Sequence, residues 1–149
     1  MLKDILNNVG DDLVKEIKNR MSSKRLNSSG GTSNSLKVKV TDDSLQIRGK
    51  ESILFLNRGR YPGGRHPYNA QRKESYLLDW ARRIVGNEKE ARRFAFLVGR
   101  KLVREGSNIY KDPSKGLELK EVAELGKKKI FKYIIGDIKI NIINKFKEV

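Results

Sequence analysis

The chain contains one histidine, His66, set between Arg65 and Pro67. A base at that position would have its protonated form disfavoured by the neighbouring cation, and no nucleophile or acid stands at motif spacing from it, so a solvent-facing or interface histidine is expected. Cysteine is absent, which removes thiolate nucleophiles, thiolate zinc sites and disulfides together and predicts synthesis in a reducing compartment. Glycines 59, 63 and 64 fit neither G-x-x-x-x-G-K-[ST] nor G-x-G-x-x-G, the two spacings that cradle phosphates. No H-E-x-x-H pair, calcium loop or carboxylate pair stands out, and Asp42 with Asp43 reads as a turn rather than a metal clamp. The expectation is therefore a protein that is not an enzyme, with no catalytic residue, metal or cofactor.

Positive charge on defined elements remains. Lysine and arginine number 33 against 18 acidic residues, a formal charge of +15, which calls for a polyanionic partner or a strongly charged neighbour in an assembly. Arg58, Arg60 and Arg65 crowd one stretch, residues 58–67, that also holds two prolines and three glycines and so cannot be helix interior or central strand. With Tyr61 and Tyr68 available to stack, such a loop is able to clamp phosphates or a nucleic-acid strand, or to enter an acidic pocket on another protein. Further along, Lys89, Arg93, Arg100 and Arg104 fall on one face of a helix, opposite an apolar stripe of Ala91, Phe94, Ala95, Val98 and Leu102. That face fits a protein interface, nucleic acid or plain solvation.

The elements that must carry these residues can be read from periodicity. Leu2, Ile5, Leu6, Val9, Leu13, Ile17 and Met21 mark an opening amphipathic helix, weakened at Gly10. Residues 22–35 hold almost nothing apolar and read as a flexible arm. Leu36, Val38 and Val40, then Leu45 and Ile47 beyond an Asp42-Asp43 turn, alternate as a hairpin, and Ser52 to Leu56 reads as a third strand. Helical spacing resumes near Glu74 and runs through Tyr76, Leu77, Trp80 and Ile84 to Gly86, with Trp80 expected to pack rather than to bind. Asn87 and Glu90 then form a capping pattern for the basic helix, which Gly106 closes.

From about Leu117 a last helix is expected, keyed by Phe131, Ile134, Ile135, Ile138, Ile142, Phe146 and Val149. Its apolar stretch is broken by Lys132, Asp137 and Lys139, so it is not expected to span a membrane, and acidic residues near the first methionine argue against a cleaved leader. The fold class expected is α+β in one domain, 1–149: a small antiparallel sheet packed against the N-terminal helix and a central helix pair, with a C-terminal helical extension, 117–149. A lean apolar content, 37%, points to stability shared between copies.

The ordered series SLKVKVTDDSLQIRG, NRGRYPGGRHP, LLDWARRIVG and AFLVGRKLVREGSNIYKD resembles the head–tail connector and tail-completion proteins of tailed double-stranded DNA phages. In that family a strand runs into a G-R-x-P-G-x-x-P loop, followed by a helix bearing I-x-x-W and another of the type A-x-x-I-x-R-K-I-x-x-E-G. The likeness covers about residues 28–110; the doubled Gly63-Gly64, His66 and the stretch beyond Gly116 depart from it. It implies a virion structural protein, made in the host cytoplasm, that forms a homo-oligomeric ring in the neck. Its partners would be copies of itself, the portal and other neck or tail proteins, with only non-specific proximity to double-stranded DNA. Arg58, Arg60, Tyr61, Arg65, His66, Arg93, Arg100 and Arg104 are the expected interface residues, and Trp80 the packing residue. The alternative is a stand-alone basic nucleic-acid-binding protein; a small nuclease is the weakest reading, since no metal-binding carboxylates can be nominated.

Overall fold

The computed structural model describes residues 2–26, 30–68 and 76–147. The fold is α+β: helices α1 (Leu2–Ser23) and α2 (Gly31–Asn34), strands β1 (Lys37–Val40) and β2 (Leu45–Arg48), then helices α3 (Ser52–Arg58), α4 (Tyr76–Val85), α5 (Glu88–Glu105), α6 (Asn108–Lys111) and α7 (Leu119–Lys147). Internal contacts gather into two compact units, one made of Met1–Ile53 with Leu117–Val149, the other of Leu54–Gly116.

In the first unit α1 covers the hairpin, as its apolar stripe requires. Leu6, Val9, Leu13, Ile17 and Met21 are buried. The strands pair antiparallel in the register the alternation predicts, Val38 opposite Ile47 and Val40 opposite Leu45. A two-stranded hairpin is marginal alone, so it depends on the helix laid across it. Gly10 makes that approach possible: a Cβ there would lie 2.5 Å from Val38 Cγ1 and 2.8 Å from Leu45 Cδ1. What reads as a weak point in the helix is the notch that receives the sheet.

Helix α7 runs antiparallel to α1. Arg20, near the end of α1, donates to the Leu117 carbonyl and reaches Glu118 and Glu121, whereas Lys129, a third of the way along α7, bonds Asp12 at 2.6 Å. Between these ties a Cβ at Gly126 would come within 2.7 Å of Leu13 Cδ1, and Leu117 and Val122 are buried. Glu118 holds a left-handed backbone, φ 54°, while its carboxylate accepts from Lys24 at 2.5 Å. The ion pairs therefore fix the turn at which α7 begins.

Two expectations are corrected. The stretch 52–56 forms the first turns of α3 rather than a third strand, so the sheet has two strands. Ile53, Leu54, Phe55 and Leu56 form a run without alternation, which periodicity alone cannot assign, and the backbone there closes into a helical turn, with Ile53 N–H donating to the Lys50 carbonyl while the Ser52 hydroxyl bonds Thr32 at 2.8 Å. Within the expected arm, 22–35, α1 continues to Ser23 and α2 forms a helical turn with Ser33 buried. Hydroxyls replace apolar burial there: Ser33 bonds the Gly30 carbonyl, Ser35 the Thr32 carbonyl, and Lys50 N–H donates to Ser35 Oγ. Residues 27–29 of that stretch, Glu74 and Val149 lie outside the described residues.

The second unit is built on the α4–α5 pair. Leu78, Ala81, Ala91 and Ala95 form its core, with Tyr68, Leu77, Trp80 and Phe94 packed against it. Alanines at the crossing let the two helices approach closely. Asn87 caps α5 through its side chain, which accepts from Lys89 N–H and Glu90 N–H, and Gly106 ends it at φ 75°.

Candidate interface on the arginine loop and helix α5

Residues 58–68 lie against the C-terminal half of α5 and are tied to it through backbone. Gly59, at φ 74°, closes α3 by donating to the Phe55 carbonyl, and a Cβ there would sit 2.5 Å from Ser107 Oγ. Arg60 N–H donates to Ser107 Oγ at 2.8 Å, Ser107 N–H returns a bond to the Arg60 carbonyl at 3.0 Å, and Gly63 N–H donates to the Val103 carbonyl. Tyr61 packs against Tyr110 with ring centroids 4.9 Å apart and planes tilted by 57°.

His66 is the pivot of this loop. Its ring stacks on Phe96 at 5.1 Å and 19°, Nε2 lies 3.1 Å from the Phe96 carbonyl, and Nδ1 lies 2.9 Å from the Tyr68 carbonyl and 3.1 Å from Tyr68 N–H. The space it fills exists because residue 99 is glycine: a Cβ would fall 2.9 Å from Nδ1 and closer still to Cε1. The histidine is thus half-buried and latched onto the helix rather than turned to solvent.

The expected site residues divide into three groups. Arg58 is the last residue of α3 and, like Arg65 and Tyr61, is exposed. Arg60 is half-buried, its guanidinium donating to the Arg65 carbonyl, while its Nε is enclosed without a partner among the described residues. Arg93, Arg100 and Arg104 share the solvent face of α5, with Arg104 paired to Glu105 at 2.6 Å. Trp80 stacks on Phe94 at 5.4 Å, while Ile84, expected on the same face, is exposed.

Charge at the ends of α5 is locally compensated. Glu88 accepts from Arg82 and Arg92, which hold its carboxyl down from 4.5 to about 2. Glu105 accepts from Arg104 and Lys111 and is held down to about 2 in the same way. Sequence reasoning missed Phe96 and Leu97, which are about half exposed between the arginines, at 49% and 51%. The signal was present: 89, 93, 96, 97, 100 and 104 keep the three-and-four spacing of one face.

Among the described residues no group of three or more histidine, cysteine or carboxylate side chains could hold a metal, and no helix is long and apolar enough to cross a membrane. No protein-family model, curated protein or solved structure matches the chain.

Proposed function

We propose that this chain is a structural subunit of the neck of a tailed double-stranded DNA phage, assembling with copies of itself into a ring between portal and tail. The observation that carries the reading is the second half of α7. Past Lys129 several large apolar side chains stand in solvent: Phe131 is 67% exposed and Ile138 52%, with Tyr133, Ile134 and Ile135 also exposed. Phe131, Ile135, Ile138 and Ile142 recur at intervals of four, three and four residues, the spacing of a seam between helices. At about 1.5 Å per residue the 29-residue helix is about 43 Å long, enough to reach a neighbour while its first turns stay docked on α1. Closed rings are the usual way for identical chains to bury such surfaces. In this role the chain works by forming interfaces and enclosing a channel, and its loop at 58–68 presents Arg58 and Arg65 to neighbouring subunits in fixed directions.

The test is the mass of the purified protein, alone and with a portal, by native mass spectrometry or light scattering. A closed oligomer in either sample is expected, and Ile138→Asn is expected to dissolve it while the thermal unfolding of the monomer is unchanged. A protein that stays monomeric in both samples overturns the reading.

A further inference from the structure

The solvent face of α5 holds more cation than its surroundings compensate. Between Leu54 and Gly116 the sequence carries fifteen lysines and arginines against six carboxylates, so this unit holds +9 of the chain's +15. From Ala91 to Arg104 there are five cations and no acidic residue. The acidic groups of the helix stand at its ends, where Glu88 and Glu105 are consumed by Arg82, Arg92, Arg104 and Lys111. Lys89, Arg93, Arg100 and Lys101 are exposed and have no carboxylate partner among the described residues. Glu90, also unpaired there, lies one turn before Arg93 and trims the row only at its start.

We infer that this face binds the phosphate backbone of duplex DNA without reading sequence. The row from Lys89 to Arg100 is about 17 Å long, which matches the axial rise of roughly five phosphates along one strand. A straight helix presents those charges at fixed spacing, and a duplex is a polyanion of fixed spacing. Single strands are bound differently, by stacking bases on free aromatic rings. Phe96, the ring that stands in this row, already carries the His66 ring on one side. This inference stands independently of ring assembly.

The test is fluorescence anisotropy with unrelated 20-base-pair duplexes between 50 and 200 mM salt. Four phosphate contacts give a slope of about −3.6 in log affinity against log salt, hence about 10²-fold weaker binding across that range. Arg93→Gln with Arg100→Gln should halve the slope, leaving a loss of about 10-fold, while thermal unfolding stays unchanged because both side chains are exposed and unpaired. Ile138→Asn, aimed at assembly, should keep the wild-type slope, so failure of the ring and failure of DNA binding are read separately. An unchanged slope in the double variant overturns the inference. So does equal binding of a single strand of the same length, or tighter binding of polyglutamate, which would assign the face to an acidic polypeptide.

Discussion

Gly99→Ala tests the loop latch. Alanine in a helix interior is favoured over glycine by about 1 kcal/mol, so propensity alone predicts stabilisation. The added methyl would meet the His66 ring, and the ring rests on Phe96, so it cannot retreat toward the helix. Overpacking costs about 1–3 kcal/mol, and expelling the ring forfeits its bonds to the Phe96 carbonyl and Tyr68 N–H at about 1 kcal/mol each. The net expectation is a loss of about 1–2 kcal/mol, or several degrees in Tm. Trp80, the single tryptophan, lies in the α4–α5 unit, so urea unfolding followed by its fluorescence reports on the right part of the chain. Removing the ring first should reverse the sign: in a His66→Ala background, Gly99→Ala should stabilise by about 1 kcal/mol, giving a coupling of about 2–3 kcal/mol. If Gly99→Ala stabilises the wild type, or if the two changes add, the latch is wrong.

Four other outcomes are expected. Gly10→Val should lower the thermal stability by at least about 2 kcal/mol, because its side chain would overlap Val38 and Leu45; circular dichroism melting checks it. Glu118→Gln should cost about 1 kcal/mol in urea unfolding, since it removes a carboxylate shared by Lys24 and Arg20, whereas exposed pairs elsewhere should cost less. Trp80→Ala should cost about 3 kcal/mol in calorimetry; unchanged melting with lost assembly would make Trp80 an interface anchor instead. Glu88 and Glu105 have folded pKa values below the ordinary one, so their contribution is complete above pH about 4.5 and disappears as pH falls toward 2. Melting curves over that window should show a smaller acid loss in a Glu88→Gln, Glu105→Gln double variant, and added salt should shrink the difference because solvent reaches both carboxylates.

The features legible in the sequence are those whose causes lie within a few residues. Val38 and Val40 alternating with Lys37 and Lys39 set the strand register, and Asn87 and Gly106 set the ends of α5, because a cap or a pleat is decided locally. The cationic face of α5 was legible for the same reason. α3 was not, since Ile53 to Leu56 show neither period and the choice fell to contacts with Thr32 and to the turn at Gly59. The purpose of Gly10 and Gly99 was hidden too: each glycine is explained by a side chain about thirty residues away in the chain, Val38 in one case and His66 in the other.

The placement of α7 sets the order in which the chain can mature. The face of α1 that meets α7 at Leu13 is synthesised before Leu54–Gly116, yet its partner comes after. At 5–20 residues per second the ribosome takes roughly 3–13 s to make the intervening 63 residues, and during that time Leu13 lacks the helix that packs against it at Gly126. The inserted unit, continuous in sequence, is free to fold in that interval. By bringing its own ends together, Gly116 against the Leu56 and Asn57 carbonyls, it would shorten the loop that α7 must close, lowering an entropic cost that grows with the logarithm of loop length. Weakening the α4–α5 core should therefore slow the docking of α7 on α1, even though no residue of that core belongs to the same unit.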